Sequence, residues 1–145
     1  MYFNKFEIET INTKAQNLET LKKIVFIGKI PTFPFNFDYD KKTFYGKINN
    51  SNFEISPVIK GRNSFSPNIK GELIGDIDSK IILKMRLHFS VIVFLLCLTL
   101  LILWNIKYYS IYEDILILTL IYFITFFLYW KECQKAKVNF EKYFK

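Results

Sequence analysis

The chain has 145 residues, enough for one ordinary domain, yet 51% of it is hydrophobic and 19% aromatic, and its formal net charge is +7. The cations are 18 Lys and 2 Arg, and the charge divides as +5 over residues 1–86, −1 over 105–114 and +3 over 131–145, with uncharged runs at 89–106 and 115–130 between. Positive charge that brackets apolar runs, with so little Arg for bidentate base contacts, excludes nucleic acid as the expected partner.

Two cysteines, Cys97 and Cys133, make no disulfide framework, and with one His they offer no zinc-ligand spacing. No metal and no cofactor is expected. The opening "MYFNKFEIET" lacks the basic and apolar regions of a secretory signal, so insertion is expected to rest on internal segments.

In chain order, "YFNKFEIET" alternates as a strand. Asn12 or Thr13 caps a helix over "KAQNLETLKKIVF", with Leu18, Leu21, Ile24 and Val25 on one side. Pro31 and Pro34 forbid a regular helix in "GKIPTFPFNFDYDKK", whose Phe33, Phe35, Phe37 and Tyr39 are read as a covering over the domain's own core, with a dip into the membrane interface or a partner groove as the alternative. "TFYGKI" and "NFEISPVI" flank the turn "NNS", and "NIKGELIGDI" and "SKIILKMRLH" form a second pair across Asp78. Between the two pairs lies "KGRNSFSPNIKG". There Arg62, Asn63 and Phe65 form a candidate interaction loop, with a turn closed by the Asn63 side chain as the plainer alternative. Gly61 and Gly71 suit positions of backbone freedom or close approach.

From Ile81 to Phe89 apolar residues occupy every second position while Lys84, Arg86 and His88 take the alternate face. After Ser90 the charges stop. Residues 89–106 are uncharged over about 27 Å of helix, and residues 115–130 over about 24 Å, with Tyr112, Tyr129 and Trp130 placed as interfacial anchors. Neither run contains Pro, Gly, Asp, Glu, Lys, Arg or His, which argues against transport by a monomer. The positive-inside rule puts both termini in the cytoplasm, and Lys84, Arg86, Lys131 and Lys135 become candidate contacts to lipid headgroups. In the tail, Ala136, Phe140 and Phe144 keep helical spacing and Val138 falls off that stripe.

The order Phe44-x-Gly46-x-Ile48, Phe53-x-Ile55, Arg62-Asn63-Ser64-Phe65-x-Pro67-x-Ile69-x-Gly71 and Ile82-x-Lys84-Met85-Arg86-Leu87-His88 resembles a group of small bacterial membrane proteins. In these a β-rich cytoplasmic part precedes a two-helix hairpin and a short helical tail. The resemblance covers roughly residues 43–105 and implies architecture and a bacterial inner-membrane location, without an activity.

The expected fold class is therefore α+β: a small antiparallel β-rich domain with one helix over residues 1–86, a transmembrane α-helical hairpin over 87–130 with helices at about 88–106 and 112–130, and a short C-terminal helix in a basic tail over 131–145. No P-loop, dinucleotide fingerprint or nucleophile elbow occurs, so no catalytic residues are assigned and an enzyme is not expected. The leading expectation is a multi-pass membrane protein serving as an anchored interaction module for lipid, a protein partner or a second copy. An oligomeric pore or toxin-like component is the alternative.

Overall fold

The structure is a computed structural model that describes residues 4–27, 43–58, 63–105 and 111–144. Its elements are β1 (Asn4–Glu9), α1 (Lys14–Ile24), β2 (Val25–Ile27), β3 (Phe44–Asn49), β4 (Asn52–Pro57), β5 (Asn68–Ile74), β6 (Lys80–Arg86), α2 (Phe89–Asn105) and α3 (Ile111–Glu141). The class is α+β, a six-stranded sheet in the order β1-β6-β5-β4-β3-β2 with three helices.

Period-2 segments form the sheet where expected. β3 and β4 close through a two-residue turn in which Asn50 takes the left-handed conformation (φ 49°) that Asn tolerates, and β5 and β6 close through Gly75 (φ 86°) and Asp78 (φ 54°). The Phe26 region departs from expectation. α1 is capped by Thr13, whose side chain and backbone exchange hydrogen bonds with Gln16, but it ends at Ile24, and Val25–Ile27 is a strand. Val25 and Phe26, read as helix, suit a sheet edge better because branched and aromatic side chains pack well on a pleated surface. β2 pairs with β3 in parallel, so the sheet is mixed rather than antiparallel. Residues 28–43 supply the length of chain that a parallel connection requires.

One sheet face is buried. Ile8, Ile55, Ile69, Ile81, Leu83 and Met85 are at most 2% exposed, and Leu21 and Ile24 of α1 cover part of them. The rest of the cover is α3. This helix runs unbroken for 31 residues, so the short C-terminal helix expected in the tail is its continuation. No Pro or Gly interrupts it, and Tyr129, Cys133, Ala136, Phe140 and Phe144 form one buried stripe that belongs to the sheet's core. Phe140 stacks on Phe53 (centroids 5.9 Å apart) and Phe144 (4.6 Å) and meets Phe44 edge-on (5.7 Å), each pair adding about 0.5–1.5 kcal/mol beyond burial. Phe53 packs against Gly71, where an added Cβ would collide with its ring. Gly71 is thus the close approach that its position suggested.

The other end of the molecule is apolar and uncovered. Residues Tyr112–Glu141 form the one helix among those described that is long and apolar enough to cross a membrane, and 6% of its apolar window is buried. A core helix of a soluble domain would have most of that window covered. α2 is a shorter apolar helix of 17 residues, about 26 Å long. Leu87 and Val91 join the buried cluster beside Tyr129, and Thr99 Oγ1 lies 2.9 Å from the Tyr122 hydroxyl, so α2 and α3 run antiparallel.

Phe140→Ala is expected to cost about 3–5 kcal/mol of stability, whereas Val138→Ala, on the exposed side of the same helix, stays within about 0.5 kcal/mol. Thermal unfolding of the two variants in detergent checks this. Gly71→Ala displaces the Phe53 ring and is expected to lower stability by about 1–3 kcal/mol in the same assay.

Candidate membrane-proximal surface

The sheet's second face is open and polar, and its register groups the polar side chains into rows across the strands. Lys5, Lys84, Lys70, Glu54 and Lys47 form one row, and Arg86, Asn68, Ser56 and Tyr45 form another. β6 leads through Leu87 and His88 directly into α2, so the Arg86 row is the one nearest the apolar helices. The lysine row lies about 7 Å further away, two residues along each strand.

Arg86 is not isolated on this face. Its guanidinium donates to Glu54 at 3.2 Å, and the Lys70 ammonium reaches the same carboxylate at 3.5 Å. All three side chains are 40–51% exposed, so each ion pair adds at most about 1 kcal/mol. At the outer edge of the sheet the Lys5 ammonium donates to Glu7 at 2.7 Å and holds its carboxyl below the usual range. The net sign of the face stays positive, because Lys5, Lys47, Lys70, Lys80, Lys84 and Arg86 share it with Glu7, Glu9, Glu54 and Glu72.

Lys131 and Lys135 occupy a different place. Both are exposed on the outward side of α3, which covers the opposite sheet face. The four candidate headgroup residues therefore flank the domain on two sides rather than forming a single patch. Arg62 lies outside the described residues. Asn63 closes a turn, its Oδ1 accepting the Phe65 N–H at 3.0 Å, and Phe65 packs half-buried against the core cluster.

Around the end of β6 the structure brings together residues that the sequence did not single out. Tyr45, Ser56, Asn68 and Ser90 join Asn63 and His88 around a pocket of about 260 Å³. Period-2 alternation alone places Tyr45, Ser56 and Asn68 off the core, but only the register makes them neighbours. Among the described residues no cluster of His, Cys, Asp or Glu could hold a metal ion.

No family model, curated protein or solved structure matches this chain. Its chemistry is thus read from its own side chains.

A second polar group, also unforeseen, is structural. Asn17 on α1 is fully buried, and its Nδ2 donates to Thr10 Oγ1 (2.6 Å) and Ser79 Oγ (2.7 Å), tying α1 to the end of β1 and the start of β6. On α3, Cys133 is completely buried near Asn4, and burial pushes its thiol pKa up. Both effects lower the reactive thiolate fraction at neutral pH. An impermeant maleimide at pH 7 should therefore leave Cys133 unmodified in the folded protein during the time in which an engineered Lys135→Cys is fully labelled. Quantitative labelling of Cys133 only after denaturation, followed by mass spectrometry, is the expected result.

Proposed function

We propose that the chain is a two-helix membrane protein in which α2 and α3 cross the bilayer as an antiparallel hairpin. Both termini face the cytoplasm, and the sheet domain is a non-enzymatic module held against the inner leaflet, where it meets anionic lipid. The observation that carries this reading is the continuity of α3. Its apolar part is uncovered, with Leu116, Phe123, Phe126 and Trp130 all at least 44% exposed, while its last turns complete the core of the sheet. Hydrocarbon is the solvent that suits the first part and the sheet suits the second.

Length favours the same arrangement. α2 at 17 residues is slightly short, and a modest local thinning of the bilayer or snorkelling by flanking residues accommodates it. The acidic first turn of α3, with Glu113 and Asp114, sits at a helix N-terminus where negative charge is favourable, on the side opposite the basic domain. Thr99 and Thr119 bond to backbone carbonyls one turn back, Leu95 and Ile115, at 2.8 Å each, which supports an anchor over an oligomeric pore lined by hydroxyls. Where the domain meets the bilayer, each Lys or Arg held close to an anionic surface adds about 1 kcal/mol of attraction.

Single reporter cysteines test the topology in a chain with Cys97 and Cys133 replaced by Ser. With Lys135→Cys, labelling by an impermeant maleimide is expected in inside-out vesicles and not in intact cells. Lys107→Cys, in the connection between the helices, should show the reverse. Labelling of both from one side would remove the hairpin, and an inverted pattern would place the domain outside.

A further inference from the structure

The pocket at the end of β6 differs in character from everything around it. Its walls come from the loop after residue 62, from β3, β4 and β5, and from the first turn of α2, and no aliphatic side chain or carboxylate is among its lining residues. One residue after His88 the apolar run begins with Phe89, which is 74% exposed. A recess lined by polar residues has thus been built at the border of the most apolar part of the molecule.

The hydrogen bonds inside this recess leave it a particular polarity. Ser56 Oγ donates to Asn68 Oδ1 at 2.6 Å, which orients the amide and leaves its Nδ2 hydrogens as donors. Asn63 Oδ1 is engaged by the Phe65 N–H at 3.0 Å, which likewise leaves the Nδ2 donors. The Ser90 backbone N–H donates to His88 Nδ1 at 3.4 Å, and Ser90 Oγ lies 2.8 Å from the same nitrogen. With Nδ1 accepting from the Ser90 N–H, the neutral ring is the tautomer with its proton on Nε2, a third donor. Three side chains that each carry an acceptor use it at least once within the protein. The hydroxyls of Tyr45, Ser64 and Ser66 add donors that rotate to suit a ligand.

We propose that this pocket binds a phosphate group. A phosphate is rich in acceptor oxygens and carries negative charge, so it matches convergent N–H and O–H donors without a competing carboxylate in the walls. Arg86 stands beside Asn68 in the sheet register, and Lys84 and Lys70 occupy the next row, so the potential around the pocket is positive although Glu54 offsets part of it. Resting on the membrane reading above, the source is the phosphate of a phospholipid headgroup, because the recess adjoins the start of α2. A soluble phosphate compound shares the chemistry.

Full-length protein in a maltoside detergent, which contains no phosphate, separates these sources. Short-chain phosphatidylglycerol and inorganic phosphate are titrated separately, with binding followed by ³¹P NMR and by native mass spectrometry. The decisive variant is Asn68→Asp, which keeps an oxygen for Ser56 and replaces the donor by a negative charge; Asn49→Asp makes the same change on the same face outside the pocket. Phosphatidylglycerol binding that weakens at least tenfold in Asn68→Asp and no more than twofold in Asn49→Asp supports the site. Binding of the lipid alone assigns it to headgroups, and comparable binding of inorganic phosphate assigns it to a soluble ligand. If Asn68→Asp does not fold, as judged by circular dichroism, Ser64→Asp carries the same test from the exposed loop. Absence of binding by both probes, or equal binding by the two Asp variants, overturns the proposal. The cysteine topology is independent: a correct topology without phosphate binding removes only the pocket, and phosphate binding with a failed topology removes only the membrane reading.

Discussion

The packing of Phe140 between Phe44, Phe53 and Phe144 is the contact on which the architecture depends. Without it the sheet would have one helix, α1, to cover a face that includes Phe53, Ile55, Leu83 and Met85, and α3 would simply extend beyond it. With it, the helix that carries the longest apolar surface in the molecule is also a wall of the sheet's core. Cys133 and Ala136 allow the close approach, since their small side chains bring the helix axis near β1, where the Lys137 ammonium lies 4.9 Å from the centroid of the Phe6 ring. An interaction of this kind is worth about 0.5–1 kcal/mol at an exposed site, so it orients rather than holds.

That fixed wall gives the open face its meaning. Strand order and register turn scattered polar residues into rows, and the direction of β6 sets which row lies closest to the apolar helices. The ion pairs on this face are weak in water, but they settle where the excess positive charge resides. They also separate two kinds of polar surface: lysines that act through long-range attraction, and the recess around Asn68 and His88, which acts through short-range donors. A surface of the first kind gives attraction without selectivity, while the second gives geometry.

Much of the fold was legible because its periods are local. Alternation marked β1, β3, β4, β5 and β6; absence of charge marked α2 and the first part of α3; helical spacing marked Ala136, Phe140 and Phe144 and left out Val138, which is 51% exposed. β2 was not legible, since Val25-Phe26-Ile27 continues an apolar helical pattern and becomes a strand only because Phe44, Tyr45 and Gly46 lie alongside it. The same limit hid Asn17, which reads as a surface polar residue on a helix and is buried because Thr10 and Ser79 come to meet it. The polar pocket depends on residues up to 45 positions apart, from Tyr45 to Ser90, and no local pattern connects them. Asn63, by contrast, took its structural part within two residues of itself, where sequence reasoning works best.

The continuity of α3 also sets an order of events during synthesis. β1 pairs with β6, which is made roughly 75 residues later, and the core then waits for Phe140, which follows α2 and the apolar part of α3. Until those helices are made, α1 is the only helix among the described residues that shields the sheet's apolar face. On the proposed membrane reading, completion of the domain is coupled to insertion of the helices, and a chain whose helices fail to insert would hold an open hydrophobic sheet, the kind of surface that quality-control factors recognise.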